Sequence, residues 1–108
     1  MDYMLVDPKS IGSFGRAVYS AAYSGADAIR AGHAWYRAWP QDIIDGKTYK
    51  KLEMPVLPLG APLTGFRWLP AVKSKAAHFR LVKIENSGHF LQNEQPEVVT
   101  RLLLEFFR

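Results

Sequence analysis

The chain has 108 residues, 48% of them apolar and 13% aromatic, which suffices for one packed domain and is too much for a disordered segment. It contains no cysteine, so disulfide frameworks, thiolate zinc sites and cysteine nucleophiles are all excluded. Fourteen Lys and Arg against ten Asp and Glu give a net charge of +4. The basic residues are spread from Lys9 to Arg108 without a stripe, so a solvated surface is expected and a nucleic-acid interface is not.

The opening MDYMLVDPKS carries two early acids and no apolar h-region, unlike a secretory signal. No apolar run approaches the roughly 18–20 residues of a membrane span. The expectation is cytoplasmic residence with no membrane partner.

Residues 1–53 read as helical and aromatic, without a convincing strand. Ser10 or Ser13 is placed to cap a helix running to about Ser24, with Gly25 as its stop. Asp27 is placed to cap a second helix, in which Ala28, Ala31, Trp35 and Ala38 recur at helical spacing. Pro40 is expected to end it, because a residue before proline is pushed out of the α region. Gln41–Leu52, with Gly46 in its middle, reads as a polar connector with room for one more turn.

Residues 54–108 alternate strand, helix, strand, helix. Met54-Pro-Val-Leu-Pro-Leu59 is a short apolar run closed by Gly60. Pro55 is tolerable at a strand start, whereas Pro58 implies an early end or a bulge. Trp68–His78 fits a helix and Phe79–Glu85 a second strand. Pro96 suits the first turn of a last helix, which sets Val99, Leu102, Leu103 and Phe106 on one stripe. A βαβ unit with a closing helix implies parallel strands joined by a right-handed crossover. Parallel sheets are buried on both faces. Two strands and two helices cannot cover one another, so the segment reads as one edge of a larger doubly wound sheet.

The sharpest local feature is Asn86-Ser87-Gly88-His89-Phe90. A histidine just after a strand stands at the carboxyl end of a parallel sheet, where open α/β folds place their sites. Imidazoles titrate near neutrality and serve as general bases on water or a hydroxyl. Gly88 is read as freeing the turn that aims the ring. Taken alone, a loop histidine is an ordinary surface residue. Ile29, His33 and Tyr36 share one face of the second helix, which leaves both a structural and a pocket-facing role open for His33. His78 is placed at a helix end, where the dipole favours it, and reads as structural. The histidines lack metal-ligand spacing, and neither a glycine-rich phosphate loop nor a carboxylate cluster is present; no metal and no cofactor are expected.

Three stretches together carry a resemblance. The string Ser87-Gly-His-Phe-Leu-Gln-Asn-Glu-Gln-Pro-Glu-Val-Val99, with the helix ending Leu103-Leu-Glu-Phe-Phe107, resembles the terminal segment of α/β-hydrolases of the epoxide hydrolase and haloalkane dehalogenase kind. Met54–Gly60 resembles the strand before that segment, and His33-Ala-Trp-Tyr-Arg-Ala38 resembles the end of the helical cap in epoxide hydrolases. The matches fall in the right order over nearly the whole chain.

The resemblance implies the C-terminal part of an α/β-hydrolase fold, with a helical cap remnant over 1–53 and a parallel βαβα part of the core over 54–108. It makes His89 the histidine that activates water to hydrolyse a covalent intermediate. Tyr36 becomes the cap tyrosine whose hydroxyl donates to an epoxide oxygen, or contributes to a halide or leaving-group site. A phenol suits that task, since it donates a hydrogen bond while neutral at pH 7. The alternative for Tyr36 is an aromatic packed beside Trp35 and Trp39. Trp35, His33 and Phe90 complete the candidate substrate-binding set, for a small-molecule substrate.

The departures matter equally. The family's nucleophile, Asp or Ser, sits on a glycine-flanked strand-to-helix elbow. Gly12-Ser-Phe-Gly15 comes nearest, but Ile11 stands where the first glycine belongs and no apolar strand precedes it, so Ser13 reads as a helix cap. Relatives often place the triad acid in the loop after the strand matched by Val56–Gly60; here that loop reads Ala61-Pro-Leu-Thr-Gly65, with Thr64 near the acid's position. Some members supply the acid from an earlier strand. The expected function is therefore that of an incomplete hydrolase, inactive alone, which in full-length form works through an ester intermediate and a histidine-activated water. The alternative is a non-catalytic remnant or one half of a split hydrolase. Its unpaired edge beside Met54–Leu59 invites strand addition, by self-association or by pairing with an N-terminal half.

Overall fold

The computed structural model describes residues 4–62 and 65–108. The chain divides into two compact units: Ile11–Lys50, and Met1–Ser10 together with Lys51–Arg108. Packing therefore joins residues 4–10 to the second unit, whereas the division drawn from sequence groups them with the helices that follow.

The Ile11–Lys50 unit is a pair of helices, α1 (Ser13–Tyr23) and α2 (Ala26–Gly46). Ser13 is the first helical residue, not the cap; Gly12 holds the cap position, with no side-chain cap bond. Ser24 closes α1, its hydroxyl donating to the Ala21 carbonyl at 3.0 Å. Gly25 caps α2, which displaces Asp27 into the first turn, where it pairs with Arg30 at 3.1 Å. That pair is exposed and worth little to stability. Pro40 does not end α2, which runs on to Gly46. The proline removes the N–H that would reach the Tyr36 carbonyl. Residues 33–44 are all exposed, so water can take that carbonyl. Beyond the proline, Gln41 Nε2 donates to Asp45 Oδ1 at 2.8 Å and ties the last turn. Ile11 is buried, but no residue of α1 or α2 is.

In the second unit, β1 (Leu59–Gly60) pairs in parallel with β2 (Val82–Lys83), Leu59 opposite Val82. Both strands are shorter than the apolar runs that contain them. Isolated parallel bridges, Leu52 to Ala76 and Val56 to Phe79, continue the pairing backwards. Four steps separate Leu52 from Val56 but three separate Ala76 from Phe79, so the first strand holds one extra residue beside Pro55. Pro58 gives its carbonyl to the Val82 N–H at 3.0 Å but has no N–H of its own, and the regular ladder starts only after it.

The crossover is a 3₁₀ turn (Gly65–Trp68) followed by α3 (Leu69–Lys75). The helix stops short of His78, because Ala76 turns extended and joins the ladder, while the His78 carbonyl accepts the Val56 N–H at 3.0 Å. Thr64 lies outside the described residues. After β2 come a turn, α4 (Leu91–Glu94) and α5 (Pro96–Phe106), with Pro96 in the first turn as expected.

Leu5, Ala61, Ala76 and Ile84 are the buried apolar residues of this unit, and Ile84 is the most enclosed at 1% exposure. Met54, Trp68, Leu103, Leu104 and Phe107 remain exposed. Along α5, Val99, Leu102 and Phe106 are only half-buried. The amphipathic stripe is formed, yet its cover is partial. Among the described residues no helix is long and apolar enough to cross a membrane.

Candidate active-site turn at His89

The turn that carries His89 leaves β2 at Lys83 and is held by an unusual number of backbone bonds. Asn86 takes a positive φ of 53°, a conformation that asparagine accepts more readily than most residues. Its carbonyl accepts Gln95 Nε2 at 3.0 Å. Ser87 is buried and its hydroxyl donates to the Ile84 carbonyl at 2.6 Å. Gly88 donates its N–H to Glu94 Oε2 at 2.6 Å, and His89 donates its own N–H to the Met4 carbonyl at 2.7 Å.

Gly88 serves a different purpose from the one expected. No glycine among those described has a positive φ, so backbone freedom is not what the turn needs. A Cβ at this position would collide with the Met4 carbonyl oxygen and lie 3.1 Å from Glu94 Oε2. The residue is there for close approach.

Sequence reasoning missed the contacts of Glu94, which it read only as one residue of the Ser87–Val99 string. Its second oxygen, Oε1, accepts the N–H of Val6 at 2.6 Å and of Asp7 at 3.1 Å. One carboxylate thus receives three backbone N–H groups from two distant segments. The only signal available in sequence was an acid six residues after Gly88, too common a spacing to notice.

The His89 ring is exposed and meets Phe90 edge to face, the centroids 5.0 Å apart. Among the described residues no carboxylate bonds the imidazole. Phe90 precedes α4, its carbonyl accepting the N–H groups of Asn93 and Glu94 at 2.9 and 3.1 Å. Nearby, Asn93 Oδ1 is buried without a partner among the described residues. No three His, Asp or Glu among the described residues are grouped to hold a metal.

The remaining candidates stand on α2. Trp35 and Tyr36 line an open groove of about 640 Å³ with Tyr23, Ala28, Ala31 and Gly32, formed where the two helices meet. His33, Tyr36 and Arg37 line a second hollow. Tyr36 contributes to both and packs edge to face on Trp39 at 5.1 Å. Tyr36 is 63% exposed. The structure thus groups Tyr36 with Trp35 and with His33 on one unit, and His89 with Phe90 on the other.

No protein-family model and no curated protein matches the chain. Solved structures do. Wild-type Cfl2 from Burkholderia cenocepacia matches with a TM-score of 0.86 and 28% identity, over 99% of this chain and 38% of that one. A second structure matches with a TM-score of 0.85 and 30% identity, over 96% of this chain and again 38% of its counterpart. The chain has the fold of the C-terminal part of an α/β-hydrolase and spans 38% of the length of each of these two structures. Within that class the likeness is to the epoxide hydrolases: the second structure is the epoxide hydrolase CorEH, solved without ligand.

Proposed function

We propose that this chain supplies the histidine-bearing part of an epoxide hydrolase-like enzyme, with His89 as the base that activates water. The observation that carries the reading is His89 itself. It projects, exposed, from a backbone-locked turn just after β2, in a chain that matches an epoxide hydrolase along 96% of its length. An accessible imidazole on a rigid support is what general-base attack by water requires.

In the complete enzyme the nucleophile comes from polypeptide other than these 108 residues, which contain no nucleophile elbow. It attacks the substrate carbon and the leaving oxygen or halide departs, giving an ester on the enzyme. Tyr36 donates a hydrogen bond to the departing oxygen, and Trp35, His33 and Phe90 contact the substrate. Water then adds to the ester carbonyl as His89 takes its proton; the adduct collapses with cleavage of the ester C–O bond, and His89 returns the proton to the departing product oxygen, which frees product and enzyme. An Asp nucleophile gives epoxide or halide chemistry; a Ser nucleophile gives ester chemistry.

The test uses a fusion of the chain to the part of CorEH that its match leaves uncovered. In that fusion, His89→Ala should leave ester formation intact and block its hydrolysis. Intact-mass spectrometry should then show one substrate mass added per enzyme. An unmodified His89→Ala protein that still turns over would refute the assignment.

A second reading rests on the open edge of β1. Leu57 and Leu59 direct their backbone groups away from β2, and no other strand among the described residues meets them. A partner strand from the other half of a split hydrolase would fit there.

A further inference from the structure

We propose that Glu94 is a positioning residue for His89, acting as a clasp that fixes the catalytic turn against the Met4–Asp7 segment; this rests on the reading of His89 as the water-activating base. Glu94 Oε2 accepts from Gly88, and Glu94 Oε1 accepts from Val6 and Asp7. The bond from His89 N–H to the Met4 carbonyl lies between these contacts and closes the unit. The two consecutive backbone N–H groups that lead into His89, those of Gly88 and of His89 itself, are therefore both bonded. One is held by Glu94 directly, the other by the segment that Glu94 holds.

Three features separate this from incidental packing. The carboxylate ends the four-residue α4, where an acid gains nothing from the helix itself. Among the described residues it pairs with no cation, and the partners it does have there are backbone N–H groups. The absence of a side chain at Gly88 leaves the space that Met4 and the carboxylate occupy. Hydrogen bonds to an ionised acceptor are the stronger kind. A displacement of about 1 Å at a catalytic group is enough to cost rate heavily. The clasp acts on backbone and leaves the imidazole free for water.

Hydrogen–deuterium exchange on the 108-residue chain, read by mass spectrometry, tests the clasp without needing activity. In the unaltered chain Val6–Asp7 and Gly88–His89 should exchange slowly. Glu94→Ala should speed both segments by about tenfold to a hundredfold, while Val82 and Ile84 in the ladder stay protected. Glu94→Gln keeps the length and one acceptor oxygen, which can serve Gly88 or the Val6–Asp7 pair but not both. Loss of protection confined to these segments supports the clasp. No loss at either segment, or equal loss in the β1–β2 ladder, overturns it; should the alanine variant not fold, the glutamine variant decides alone.

The fusion to CorEH supplies the readout that a merely structural role would not move. Glu94→Gln there should slow hydrolysis of the ester by about tenfold and leave its formation unchanged. A slowing of formation alone contradicts the positioning role. His89→Ala should show the unaltered exchange pattern, so a failed base assignment, seen in turnover, is distinguishable from a failed clasp, seen in exchange.

Discussion

Gly88 passes so near Met4 that a methyl group has no room, while its neighbour His89 stands exposed with its ring edge to face on Phe90. Two adjacent substitutions should therefore behave in opposite ways. Gly88→Ala meets a carbonyl oxygen, which cannot yield as a flexible side chain would. Its cost is expected at about 1–3 kcal/mol in urea unfolding, the range for a methylene forced into filled space. His89→Ala removes a side chain that no described residue bonds, and should shift stability by less than about 0.5 kcal/mol. A Gly88→Ala chain as stable as the original would show that the turn adjusts freely. On the proposed role of His89, stability and catalysis would thus separate at consecutive positions.

At the scale of the element, α2 carries an internal proline whose cost in an exposed helix is about 3 kcal/mol. Pro40→Ala restores the N–H to the Tyr36 carbonyl and should raise helicity by circular dichroism along with the melting temperature. An unchanged melting temperature would mean that the helix is held by something other than its own ladder. How much was legible in sequence follows from the range of each cause. The α5 stripe and the parallel pairing of the two apolar runs were legible, because each rests on local periodicity or on a rule of connection. The caps were not: Ser13 and Asp27 have suitable side chains, yet Gly12 and Gly25 hold the positions by backbone conformation alone. The end of α2 was misplaced because proline's effect depends on whether water can serve the freed carbonyl. Among the candidate site residues, the place of His89 just after a strand was legible. The Glu94 contacts were invisible, since Val6 lies 88 residues away in sequence.

For the molecule as a whole, the balance of burial is the telling fact. Trp35, Trp39, Trp68, Phe14 and Phe107 all stand more than half exposed, and the described sheet has two strands. We propose that some of this apolar surface is covered by a partner. At raised concentration the chain should self-associate in analytical ultracentrifugation and bind a hydrophobic dye; a sharp, concentration-independent monomer that binds no dye would contradict this. The match to 38% of each solved relative accounts for the same surface, since the rest of such a fold would cover it.

The most direct measurement compares epoxide hydrolysis by the 108-residue chain alone with that by its fusion to the uncovered part of CorEH. An inert chain and an active fusion that loses turnover on His89→Ala are the expected results. A hydrolytic rate from the chain alone, or a fusion indifferent to His89, would contradict the account.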